Sequence, residues 1–168
     1  MAGHIKKSSP RVPEGFTLSM AVMDCFPVFF FCVSACCLAA RFPGALFRIG
    51  IFCIILAGSL KVSWKMVIAL AKKNIPFLGR QMRFLMPAGF ALCILSLAIR
   101  KNDWSIRAVW QHITSLPSLP FFLIGIAGMC LMVRFARKGR QMDAKANWKE
   151  QAVNAAAQFC IMMGILLA

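Results

Sequence analysis

Long apolar stretches constrain this chain more than any other feature of its sequence. A helix rises about 1.5 Å per residue, so about 20 apolar residues cross the roughly 30 Å hydrocarbon core of a bilayer. Hydrophobic residues make up 60% of the 168 residues and charged residues 15%, whereas soluble domains are about half apolar and a quarter charged. The stretches cover residues 16–40, 45–71, 84–99, 119–136 and 151–168. We predict an all-α, polytopic membrane protein, a bundle of about five transmembrane helices.

The connections between the apolar stretches are short and carry no pattern of a separate soluble domain. The third stretch, 84–99, is short for a span, but Arg83 and Arg100 bracket it, and long basic side chains can extend to the membrane surface. We therefore expect residues 1–15 to form a cytoplasmic N-terminal tail and residues 16–168 to form a single transmembrane helical domain.

The first apolar stretch raises the alternative of a signal peptide, because Lys6, Lys7 and Arg11 precede it. The apolar core of a signal peptide is roughly 7 to 15 residues long. This stretch is longer and contains Asp24 and Pro27. We therefore predict that it is a transmembrane helix.

The connection between the third and fourth stretches has a pattern of its own. Its apolar residues recur at helical spacing, at Ile106, Val109, Trp110, Ile113 and Leu116. Asp103 is suited to cap the start of such a helix, and Pro117 would stop it. We predict one amphipathic interfacial helix over about residues 103–116, either as an anchor or as a lid over a pocket.

The charge of the chain is strongly positive, with 20 Lys and Arg against 5 Asp and Glu. In a soluble protein this excess would suggest nucleic acid, but in a membrane protein basic residues orient the helices and meet anionic lipid headgroups. Most of them fall on one side if the N-terminus is cytoplasmic. We predict a multi-pass protein of the cell (inner or cytoplasmic) membrane, with the N-terminus inside and the C-terminus outside. Its partners are then the bilayer and anionic headgroups, with no nucleic acid.

Two lysines lie inside the second apolar stretch. The apolar run before them, 49–60, is about 18 Å long as a helix and does not span the bilayer alone, so the helix must continue through Lys61 and Lys65. Lys65 then lies about 10 Å, and Lys61 about 16 Å, from the cytoplasmic end near Lys72. A lysine at such depth costs several kcal/mol unless it finds a partner or water.

Polar residues at matching depth occur on two other helices. Asp24 enters the first helix level with Lys65, and the short link makes the first two helices antiparallel neighbours. Asn154 and Gln158 continue a polar stripe from Glu150 on the fifth helix. We predict a buried polar cluster in the cytoplasmic half, formed by Asp24, Lys61, Lys65, Asn154 and Gln158, with Arg83 and Arg134 near its mouth.

Two interpretations of this cluster compete. In the structural one, Asp24 pairs with Lys65, Lys61 extends toward the cytoplasm, and Asn154 and Gln158 join helices. In the functional one, a single carboxylate facing two lysines leaves excess positive charge that an anionic ligand neutralises. A proton relay through Asp24 is a further alternative.

The sequence offers few catalytic or metal-binding patterns. The eight cysteines all lie in apolar stretches, without metal-ligand spacing, and His112 has no carboxylate or second histidine nearby in the sequence. We find no hydrolase, metalloprotease or phosphate-loop motif. A non-enzymatic protein without cofactor or metal is therefore favoured.

Three functions follow, in order of preference. The first is binding or transport of an anionic or amphipathic small molecule or lipid through the buried cluster. The second is a membrane-embedded accessory subunit that docks a membrane protein partner through a basic cytoplasmic face, 134–149. A membrane enzyme comes last, because the sequence offers no acid, base or metal for it.

Overall fold

The computed structural model describes residues 17–42, 44–137 and 144–168. Within those ranges the chain is helical and contains no strand, which confirms the all-α prediction. The helices are α1 (Leu18–Met23), α2 (Cys25–Arg41), α3 (Ala45–Ala71), α4 (Pro76–Arg80), α5 (Met82–Ile99), α6 (Ile106–Thr114), α7 (Ser118–Arg137) and α8 (Ala144–Leu167).

Five segments of the described chain are long and apolar enough to cross a membrane. They are Leu18–Arg41, Ala45–Ala71, Pro76–Ile99, Ser118–Phe135 and Trp148–Leu167. Large apolar side chains such as Phe52, Phe84 and Ile94 point away from the protein, with 64%, 74% and 67% of their surface exposed. A soluble protein rarely exposes so much contiguous apolar surface. The protein is a multi-pass membrane protein in a lipid bilayer.

The third span is longer than the sequence pattern predicts. We expected residues 84–99, but the helix begins at Pro76, because α4 runs into α5 with an interruption only at Gln81. Lys72 ends α3 in the left-handed conformation, with φ 52°, and Pro76 occupies the first turn of α4, where a missing N–H costs nothing. Arg83 consequently lies inside the third span instead of at its end.

The spans pack in an open row, in the order third, second, first, fifth and fourth. The main contacts join α5 to α3, α3 to α1 and α2, α2 to α8, and α8 to α7. Between α5 and α7 the described residues make no extensive contact, so the two ends of the row do not close on each other. The first span therefore lies at the centre, between α3 and α8.

The first span is interrupted at Asp24, which ends α1 and precedes α2. Pro27 lies in the first turn of α2. Proline has no N–H and its ring crowds the carbonyl four residues earlier, which breaks the regular helical pattern. The interruption leaves Asp24 buried, with 6% of its surface exposed.

Helix α6 confirms the predicted amphipathic helix but starts later. Ser105, and not Asp103, occupies its N-cap position. Asp103 instead accepts a hydrogen bond from Arg100 Nε at 2.5 Å. Trp104 Nε1 donates to the Leu97 carbonyl at 2.9 Å, which ties the start of α6 to the end of α5.

Candidate functional site

The predicted pair between the first and second spans is present. Lys65 Nζ on α3 donates to Asp24 Oδ2 and forms an ion pair with it. The Asp24 side chain is 7% exposed and the Lys65 side chain 17%. A carboxylate and an ammonium at this depth satisfy each other, so this pair carries no net charge.

Lys61, one helical turn before Lys65, faces a different environment. It lines a cavity of about 410 Å³ between α3 and the third span, together with Arg83 of α5. Neither Lys61 nor Arg83 forms an ion pair among the residues that the structure describes. Two cations on two helices therefore converge on one cavity.

The other walls of this cavity are apolar and come from the third span. They are Gly79, Met82, Met86 and Pro87. A Cβ at Gly79 would lie 3.2 Å from the Trp64 indole, so this glycine lets α4 lie directly against α3. Trp64 Nε1 also donates to Asn74 Oδ1 at 3.1 Å, which fixes the link between α3 and α4. Local packing thus fixes Gly79, which lines the cavity, against α3.

The charges around Lys61 sum to an excess of positive charge. Lys61 interacts electrostatically with Lys65, Asp24 and Glu150, and Arg83 shares its cavity. Three cations then face two carboxylates, and Asp24 is already bonded to Lys65. The arrangement can attract an anion, but the described residues hold no group of three or more His, Cys, Asp or Glu suited to a metal ion.

The remaining predicted site residues lie on α7 and α8. Gln158 Nε2 donates to Met129 Sδ at 3.6 Å on α7, so it points to the fourth span. Asn154 is half-buried on α8, and Arg134 is exposed on α7. The extensive contacts of α7 in the described chain are with α6 and α8, which puts Arg134 away from α3. Gln158 and Arg134 of the predicted cluster are therefore directed to, or lie on, the fourth span, whereas Asp24, Lys61, Lys65 and Arg83 lie on the first three spans.

The predicted tail, residues 1–15, lies outside the described residues, and the basic face 134–149 lies partly outside them. Lys6, Lys7 and Arg11 belong to the tail, and residues 138–143 form the middle of the basic face 134–149. The docking role proposed for that face stays a prediction.

The apolar cavity walls were not identified from the sequence. The predicted boundary of the third span, 84–99, excludes Gly79 and Met82, so the sequence pattern did not place them beside Lys61. The four-residue spacing of Met82 and Met86, with Lys61 unpaired on a neighbouring helix, was the available signal.

Comparison with known proteins gave no match to a protein family, a curated protein or a solved structure.

Proposed function

We propose that the protein binds the anionic headgroup of a membrane lipid between its second and third spans. The observation that carries the proposal is the convergence of Lys61 and Arg83 on one cavity, while the Asp24 carboxylate is bonded to Lys65. A lysine within the membrane costs several kcal/mol without a partner. An anionic headgroup would supply that partner.

The size and the walls of the cavity support an amphipathic ligand. Its volume of about 410 Å³ lies within the range of about 300–1,000 Å³ for small-molecule sites. Met82, Met86 and Pro87 offer an apolar surface beside the two cations, and methionine adapts to ligands of different shape. A phosphate or carboxylate would lie between the cations, with its apolar part along the third span.

Retention of an anionic lipid tests this proposal. We expect protein purified from membranes into phosphatidylcholine nanodiscs, and then supplied with phosphatidylglycerol, to carry phosphatidylglycerol in native mass spectrometry. Lys61→Gln should weaken this binding about tenfold, because a charge-assisted hydrogen bond is lost. Lys73→Gln is the matched control, since Lys73 is exposed beyond the end of α3 and should leave binding unchanged.

Inorganic phosphate separates a lipid site from a site for free anions. If inorganic phosphate displaced phosphatidylglycerol at an equal concentration, the site would bind a soluble anion and not a lipid. Equal phosphatidylglycerol binding by wild type, Lys61→Gln and Arg83→Gln would contradict the proposal.

We also propose that the N-terminus is cytoplasmic, on the distribution of basic residues. An alkaline phosphatase reporter inserted after Asn102 should be active, because it lies outside. The same reporter inserted after Lys73 should be inactive, because that link is cytoplasmic. The reverse pattern of activity would require the opposite orientation.

A further inference from the structure

A second and larger cavity lies under α6, of about 760 Å³. Its walls come from the end of α2, the start of α7 and the end of α8, with α6 along one side. None of these walls belongs to α3 or α5. Arg41, at the end of α2, lies beside it, whereas Lys61 lies in the opposite half of the antiparallel helix α3. The two cavities are therefore at opposite ends of the spans.

The position of α6 follows from the open row of spans. The third and fourth spans are the two ends of that row, and the link that contains α6 joins them. Helix α6 packs on α7, while Trp104 attaches the same link to α5 through the Leu97 carbonyl. A nine-residue helix thus reaches over the space that the two ends leave between them. It is held at both ends and covers the cavity.

The cavity walls are mostly apolar and carry two polar groups of interest. Val109 and Ile113 of α6 face Phe122 of α7 and Ile165 of α8 across it. Arg41 and His112 contribute a guanidinium and an imidazole. A site with apolar walls and a few convergent polar groups is typical of small-molecule binding.

The charges on the cavity favour an anionic head. Asp103 also lines the cavity, but its carboxylate accepts a hydrogen bond from Arg100 at 2.5 Å. Arg41 has no acidic partner among the described residues. A guanidinium presents donors in a fork that matches a carboxylate or phosphate, and an imidazole N–H adds a further donor.

We propose that the cavity under α6 binds a single-chain anionic amphipath, with a fatty-acid carboxylate as the simplest case. The head meets Arg41 and His112, and the alkyl chain lies along Val109, Ile113 and Ile165. A single chain suits the site because α6 covers it from the membrane surface, and a two-chain lipid needs wider access. This site is independent of the lipid site at Lys61.

Photolabelling tests the proposal with a palmitic acid probe that carries a diazirine in its chain and a terminal alkyne. Full-length protein in phosphatidylcholine nanodiscs should be labelled on peptides from α6 and from the end of α8. Excess palmitate should compete, and hexadecanol, which has the same chain without the charge, should not. Arg41→Gln should reduce labelling about tenfold.

Two further variants make the result interpretable. Arg48→Gln is the matched control, because Arg48 is exposed on α3 and does not line the cavity, and its labelling should equal wild type. Ala108→Trp places an indole in the cavity from α6, outside the spans, and should abolish labelling while the protein elutes normally in gel filtration.

Three results would overturn the proposal. They are labelling spread evenly over the lipid-facing helices, equal competition by hexadecanol, and unchanged labelling in both Arg41→Gln and Ala108→Trp. Lys61→Gln is expected to lose phosphatidylglycerol binding and to keep palmitate labelling under α6. The two proposed sites are therefore tested independently of each other.

Discussion

Replacing Asp24 by alanine is expected to lower the free energy of unfolding by about 3–5 kcal/mol. The side chain of Asp24 is buried and accepts a hydrogen bond from Lys65. Its removal leaves an ammonium 17% exposed in the middle of the row of spans, with no carboxylate bonded to it. Breaking one side of a buried pair costs far more than the pair itself contributes.

A double-mutant cycle separates these two quantities. Lys65→Met leaves the Asp24 carboxylate buried without its cation, so it should also destabilise by several kcal/mol. The combination of Asp24→Ala with Lys65→Met removes both charges and should recover most of the lost stability. Unfolding in mixed micelles of increasing sodium dodecyl sulfate fraction, followed by circular dichroism, gives the free energies.

The other ion pair among the described residues provides the matched control. Arg100 and Asp103 are joined at 2.5 Å, with side chains 46% and 49% exposed. Asp103→Asn should therefore change stability by no more than about 1 kcal/mol. If Asp24→Ala were as mild as Asp103→Asn, the Asp24–Lys65 pair would have no structural role.

Adding one methyl group where the second and third spans touch is expected to lower the free energy of unfolding by about 1–3 kcal/mol. A Cβ at Gly89 would lie 2.7 Å from the Gly50 carbonyl oxygen, and a Cβ at Gly50 would lie 2.7 Å from the Gly89 carbonyl oxygen. The obstructing atoms are backbone and do not move aside as a flexible side chain does. Association of membrane helices depends on such close packing.

Gly89→Ala and Gly50→Ala should both be measured against Gly58→Ala. The nearest atom to a Cβ at Gly58 is Val28 Cγ1 at 3.4 Å, an ordinary contact with a side chain. This control should leave stability unchanged or raise it by up to about 1 kcal/mol, because alanine forms helices better than glycine. Equal effects at all three glycines would mean that the close packing between α3 and α5 does not set the cost, since helix propensity favours alanine at each position. The same unfolding measurement serves all three variants.

The Asp24–Lys65 pair shows what depth alone can predict. The short link after the first helix makes its neighbour antiparallel, so residue counts from the cytoplasmic side place both groups at one level. No comparable constraint applied to Gln158. Its helical face could be located from the sequence, but the helix that this face meets depends on the order of the spans. The structure pairs it with Met129 on α7.

The third span shows how hydropathy misplaces a boundary. Arg80 and Arg83 interrupt the apolar pattern, so the sequence predicted a short helix that begins at 84. The span instead begins at Pro76, because a helix is held by its own backbone hydrogen bonds and can run through basic residues. Arg83 faces that cavity with Lys61. The candidate site therefore depends on a residue that was expected at the edge of the membrane.

The sequence by itself determined that the chain spans a membrane, the approximate position of each helix, the amphipathic character of α6 and the depth at which Asp24 meets Lys65. These properties follow from composition, helical periodicity and segment length, none of which depends on contacts between distant parts of the chain. The tertiary structure decided the order of the spans, the close approach of Gly50 to Gly89, and the two cavities. Apolar helix faces in a bilayer have little preference between lipid and one another, so their order is set by contacts between residues far apart in the chain.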